Sequence, residues 1–183
     1  MRKVIATINM TLDGFCDHTA VDPDEEIHDH YTELLDSAGA ILYGRVTYQL
    51  MQYWQTLIQN PSGEKVMDDF ARSIDRVPKI VFSRTLQNTG WESARLANKD
   101  LKTEVLDLKQ QMGEPIFVGS PGLIVALTQL GLINEYQICV HPVIAREGLP
   151  LFKNLSSKVN LKLLKIKTFR SSAIILYYEP VNE

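Results

Sequence analysis

Three short segments carry residues suited to holding an anion. Gly44-Arg45-Val46-Thr47 sets a glycine, a guanidinium and a hydroxyl at the start of a helical pattern. Ser83-Arg84-Thr85 follows an apolar run with a hydroxyl and a second guanidinium, and Gly119-Ser120-Pro121-Gly122-Leu123 is a glycine-rich turn onto another helix start. Glycine admits close approach to the backbone, while the first turn of a helix carries unpaired N–H groups and the positive end of the dipole. Arginine adds a planar fork that matches phosphate. Each segment alone also reads as a plain turn; together they suit a ligand with several phosphates. For proton transfer the candidates are Asp13, Asp17, His18 and His141, although Asp13-Gly14 is also a standard turn pair. Tyr48 and Trp54 follow the Gly44 turn and could stack on a planar substrate or fill the core. No metal site is expected, because Cys16 and Cys139 lie far apart with no Cys or His at ligand spacing. Neither G-x-G-x-x-G near the N-terminus nor G-x-x-x-x-G-K-[ST] occurs, which excludes the ordinary dinucleotide fingerprint and the P-loop.

The elements that must position these residues alternate in period. The chain has 183 residues, a formal charge of −3, 45% apolar and 22% charged side chains, which suits a single domain over 1–183. So balanced a charge argues against a nucleic-acid partner. No apolar run approaches the ~18 residues of a membrane span. The strand-like opening Val4-Ile5-Ala6-Thr7-Ile8 does not suit a signal peptide, so the expectation is a cytoplasmic protein with reduced thiols. Strands are expected at 4–8, 40–43, 79–83 and 115–119, with helices over 24–37, 44–54, 64–75, 101–112 and 123–130. After Glu135 the pattern turns to β, at 136–144, 161–169 and 173–178. This order predicts an α/β domain, a mostly parallel sheet whose C-terminal strands are antiparallel. In such sheets ligands bind beyond the carboxyl ends of the strands, where the three segments fall.

The ordered set Asp13-Gly14, Gly44-Arg45-x-Thr47, Ser83-Arg84, Gly119-Ser120 and Leu130-Gly131-Leu132-Ile133-Asn134-Glu135-Tyr136 resembles the dihydrofolate-reductase-like superfamily. It is closer still to the C-terminal reductase domain of bacterial bifunctional riboflavin-biosynthesis deaminase-reductases and its stand-alone relatives. The resemblance runs from Val4 to about Tyr178 and includes the 143–152 loop. It implies a three-layer αβα fold, a small-molecule substrate and NADPH as hydride source for a heterocyclic or carbonyl acceptor. The likeness is to a 5-amino-6-(5-phosphoribosylamino)uracil reductase domain, and a homodimer is the family's habit. By that resemblance Gly44, Arg45, Val46 and Thr47 meet the pyrophosphate and 2′-phosphate region, and Ser83 and Arg84 lie beside the 2′-phosphate. Gly119, Ser120, Gly122 and Leu123 form the glycine turn and helix start, while Leu12, Asp13 and Gly14 lie over the nicotinamide. On the substrate side the candidates are Tyr48, Trp54 and His141.

Several positions depart from the pattern. Phe15-Cys16-Asp17-His18 stands where dihydrofolate reductases usually have Leu-Pro-Trp, and none of Asp24, Glu25, Glu26, Asp29 or Glu33 is singled out as a pteridine-binding carboxylate. Val118 replaces a common Glu of the riboflavin enzymes, Arg146 replaces a common Gly, and no H-x-E…P-C-x-x-C deaminase motif occurs. The alternatives are dihydrofolate reduction, or a nucleotide-binding module of the same fold without turnover.

Overall fold

The computed structural model describes residues 1–181. Apolar β-branched runs form the central strands: β1 (Val4–Thr11), β2 (Ala40–Gly44), β3 (Lys79–Phe82), β5 (Ile116–Val118) and β6 (Glu135–His141). A short β4 (Ala94–Leu96) and the late strands β7 (Leu161–Thr168) and β8 (Ile174–Pro180) complete one sheet in the order β4-β3-β2-β5-β1-β6-β8-β7. Pairing from β4 to β6 is parallel; β6–β8 and β8–β7 are antiparallel.

Side-chain alternation divides the core between the two faces of the sheet. Val4, Ala6, Ala40, Leu42, Ile116 and Val118 join the cluster containing Val105 and Leu108 of α4 (Leu101–Gln110) and Ile124 and Leu127 of α5 (Pro121–Gln129). Ile5, Ile41, Tyr43 and Phe117 point the other way. They meet Leu34 and Leu35 of α1 (Glu25–Asp36), Tyr48 and Trp54 of α2 (Arg45–Gln59), and Ala71 and Ile74 of α3 (Lys65–Arg76). Three layers result, as expected. No helix among the described residues is long and apolar enough to cross a membrane.

Local differences from the expected elements have local causes. α2 continues past Trp54 to Gln59 because Gln-Thr-Leu-Ile-Gln keeps helical spacing until Asn60-Pro61. α5 starts at Pro121 rather than Leu123, since proline's missing N–H costs nothing in a first turn. β7 is not buried like the other late strands: Leu161, Leu163, Leu164 and Ile166 are exposed on the sheet's edge.

Candidate active site

Because β3, β2, β5, β1 and β6 are parallel neighbours, their carboxyl ends share one edge of the sheet. Along that edge come Ser83-Arg84, Gly44-Arg45, Gly119-Ser120, Leu12-Asp13-Gly14 and His141. The five segments singled out by type therefore stand in a row.

Two helix starts on this rim, those of α2 and α5, differ from those of α1 and α4. α1 and α4 are closed by their own carboxylates, Asp24 accepting from the Ile27 amide at 3.0 Å and Asp100 from Thr103 at 3.1 Å. α2 begins at Gly44 and α5 at Ser120, with no side-chain cap and no acid in either first turn. Ser120 Oγ instead accepts the Gly44 amide at 2.9 Å and ties the two starts together. A Cβ on Gly44 would touch Ser120 Cβ at 3.9 Å, so the turns are in contact. Adjacent helix N-termini without an internal anion suit the phosphates of a dinucleotide. Arg45 is exposed and makes only a 3.4 Å contact with Gln49, and Arg84 has no partner among the described residues. Ser83 is occupied locally, its Oγ accepting from the Thr85 and Leu86 amides and shaping the loop that presents Arg84. Leu12 and Val46 are each 63% exposed on the same rim and offer apolar cover for a ring. The residues present thus fit a phosphorylated nicotinamide dinucleotide.

Two loops meet beyond β1 and β6. Leu12 N donates to Val143 O, Cys16 N to Leu149 O, and Leu151 N to Gly14 O, so the loop after β1 is stitched to 143–151. Asp13 pins the junction: its carboxylate accepts from Thr11 Oγ1 at 2.6 Å, from the Ala145 amide at 3.1 Å and from the Arg146 amide at 2.8 Å. The Thr11 hydroxyl, aided by the backbone amides, draws the Asp13 carboxyl down to about 2. Asp13 is thus ionised and fully engaged near neutrality, which suits a latch and not a proton donor. Arg146 has φ 71°, the left-handed region that glycine enters without strain. Asp17 also joins the latch, accepting from the Leu149 amide, while His18 is exposed.

His141 ends β6 opposite Thr11 and is 4% exposed. Its Nε2 lies 3.0 Å from Asn9 Oδ1, which also accepts from Tyr31 Oη at 3.1 Å; Cys139 Sγ is 3.6 Å away. Burial lowers the His141 pKa from its ordinary value, opposed by nearby Asp24. Asn9 and Tyr31 were not singled out by type, because their convergence depends on register between β1 and α1. The structure corrects the substrate-side reading of Tyr48 and Trp54. Tyr48 is fully buried with its hydroxyl on Thr89 O at 2.8 Å, and Trp54 packs on Phe70 with centroids 4.4 Å apart. Both belong to the core. Among the described residues no group of His, Cys, Asp or Glu is placed to hold a metal.

The sheet order and the rim define a reductase-like α/β domain. The same architecture occurs in a pyrimidine reductase-like protein from Corynebacterium diphtheriae, with TM-score 0.67, 15% identity and coverage of 100% of this chain and 93% of that one. It recurs in the Thermotoga maritima diaminohydroxyphosphoribosylaminopyrimidine deaminase/5-amino-6-(5-phosphoribosylamino)uracil reductase, with TM-score 0.66 and 15% identity. There the match covers 98% of this chain and 57% of the larger protein. The family model of the RibD C-terminal domain matches residues 2–175, and the chain belongs to that family. The uncharacterized Bacillus subtilis protein YyaP is 32% identical over 185 residues, covering 97% of this chain and 94% of that protein.

Proposed function

We propose that this protein is an NADPH-dependent reductase that delivers a hydride to a small heterocyclic or carbonyl acceptor, working in the cytoplasm as a homodimer. The observation that carries this reading is the pair of acid-free helix starts joined through Ser120 and Gly44 and flanked by the open guanidinium groups of Arg45 and Arg84. The N–H groups of both first turns would hold the pyrophosphate, and Arg45 and Arg84 would recognise the 2′-phosphate. NADPH, when bound, supplies the hydride. Leu12, 63% exposed just beyond β1, would cover the nicotinamide ring and exclude water. The Asp13 latch fixes the loop that carries Leu12.

Arg45→Ala and Arg84→Ala should each weaken NADPH by about tenfold and NADH far less, since a charge-assisted hydrogen bond contributes roughly 1.5–3 kcal/mol. Fluorescence titration of both coenzymes checks this, and equal losses for the two would reject the assignment. A second reading, nucleotide binding without turnover, draws on the ionised state of Asp13. Oxidation of NADPH with dihydrofolate, a riboflavin-pathway pyrimidine or a quinone would eliminate it.

A further inference from the structure

The two halves of the rim carry opposite charge. The β3–β2–β5 half presents Arg45 and Arg84 beside two acid-free helix starts. The β1–β6 half, where an acceptor would stand next to the nicotinamide, is built by β1, the loop after it and the first turn of α1 (residues 4–26), together with β6 and the 143–151 loop. The 4–26 stretch contains no Lys or Arg, while six carboxylates fall between Asp13 and Glu26; Asp36 stands at the far end of α1 with Arg76. The helix start on this side, α1, is closed by Asp24 and followed by Glu25 and Glu26, so it holds no free anion site. The cations nearby come from elsewhere in the chain. Arg146 lies on the latch beside Asp13 and Glu147, the Arg170 backbone is held by Glu26, and Lys165 and Lys167 lie near His30, a neutral partner that leaves their charge in place. A phosphorylated acceptor would meet net negative charge here.

His141 is the independent observation. Asn9 Oδ1 takes the Nε2 proton, leaving Nδ1 as a lone-pair acceptor with no partner among the described residues. The ring is more than nine-tenths buried at the strand end, close enough to Asp24 to feel its charge. A neutral imidazole cannot balance a phosphate, but it can accept a hydrogen bond from an N–H or O–H group.

Resting on the reductase reading, we propose that the acceptor end selects an unphosphorylated, neutral or cationic hydride acceptor that donates an N–H or O–H to His141 Nδ1. The C=N or C=O carbon of that acceptor gains the hydride, NADPH is oxidised to NADP⁺, and a solvent proton ends on the heteroatom. This departs from the phosphoribosyl compound named for the Thermotoga maritima enzyme.

The test uses matched acceptors with and without phosphate: the ribosylaminouracil and its 5′-phosphate, and pyridoxal and its 5′-phosphate. NADPH oxidation gives kcat/KM, and NADPH affinity is titrated separately. The unphosphorylated member should be preferred by about tenfold or more, the scale of one like-charge contact or one buried hydrogen bond. His141→Phe should raise the acceptor KM about tenfold with NADPH affinity unchanged, and His141→Gln, which keeps an acceptor atom, should recover part of the loss. The comparison within each pair uses the unaltered protein, so it stands even if His141→Phe unfolds. Equal or better use of the phosphorylated members overturns the proposal, as does failure to reduce any unphosphorylated acceptor while NADPH still binds. Failure of the unaltered protein to bind NADPH overturns the reductase reading instead.

Discussion

Ser120 Oγ accepts the Gly44 amide at 2.9 Å across 76 positions of sequence, so a hydroxyl that could cap its own helix is spent on its neighbour's turn. Ser120 is almost fully buried, and nothing else caps either start. Ser120→Ala should cost about 1 kcal/mol of stability, the usual net value of one hydrogen bond. Ser120→Asp separates folding from binding. A carboxylate there caps α5 and keeps the fold, while its charge opposes a phosphate at both starts. Denaturant midpoints near the unaltered protein's, with NADPH affinity lost by more than about tenfold, are the expected pair of results. Retained affinity would contradict the site.

Asp13 offers a test of latch against catalyst. Thr11 donates to it first, the Ala145 and Arg146 amides next, and its carboxyl sits at about 2 instead of its ordinary 3.8. A carboxyl depressed in the folded state contributes stability above its ordinary value and loses that contribution as pH falls through about 2. Asp13→Ala should therefore speed hydrogen exchange at the Ala145 and Arg146 amides at neutral pH. The alkaline limb of any pH–rate profile, where a proton donor loses its proton, should stay in place. Disappearance of that limb would make Asp13 a proton donor after all. Arg146→Gly should be neutral or stabilising, because glycine removes the strain at φ 71°.

Much of this architecture is legible before any coordinates, for physical reasons that differ by element. Val4–Ile8, Ala40–Tyr43 and Ile116–Val118 are apolar runs bounded by turns, and each became a central strand with alternate residues on opposite faces. β4 is not legible, since Ala94-Arg95-Leu96 has little strand character and extends only because β3 offers it an edge. The glycine turns were visible because backbone freedom is written in residue type. Asp13 was visible as a turn residue, but its partners lie 132 and 133 positions away and appear only with the fold. Tyr48 and Trp54 mislead because α2 buries those two aromatics and exposes Val46 and Tyr53, a choice that spacing alone leaves open.

The proposed homodimer would have a surface to use. β7 is the open edge of the sheet, and a register shift between Leu163 and Lys165 leaves Leu161, Leu163, Leu164 and Ile166 with 39 to 54% of their surface exposed. An apolar edge strand left open invites pairing with another chain. Ile166→Lys should yield the monomer of 20.8 kDa in sedimentation at low micromolar concentration, where the unaltered protein sediments at twice that mass. A monomeric unaltered protein would reject the dimer.

Lys79 sets an alkaline signature at the opposite end of β3. It is 1% exposed, and its ammonium donates to Val77 O at 2.9 Å, Asp75 O at 3.2 Å and Ser93 Oγ at 2.6 Å, 4.0 Å from the Trp91 ring centre. Burial, partly offset by Asp75, pulls its pKa from 10.5 to about 8. The unfolded chain then binds more protons between those values, so stability rises as pH increases from about 8 toward 10.5. Lys79→Met should flatten that rise in urea midpoints measured across the window. An unchanged slope would show that the buried amine is not its source.

His30 imposes the matching limit in acid. Its Nδ1 accepts from Lys167 Nζ at 3.1 Å, its Nε2 is buried without a partner among the described residues, and the rings of Tyr31 and Phe169 lie 5.6 and 5.7 Å away. A proton on Nδ1 would displace the Lys167 contact and set a cation beside Lys167 and Lys165. Burial first, then those two lysines, lowers the His30 pKa from 6.5 to about 4. Its stabilising contribution is complete above 6.5 and is lost as pH falls through about 4. His28 and His141 are lowered in the same sense, so they share the slope. His30→Gln keeps an acceptor for Lys167 and cannot gain a proton in this range. Urea midpoints of the unaltered protein should fall between pH 6.5 and 4, and those of His30→Gln should fall less. Equal falls would place the acid sensitivity on the other two histidines.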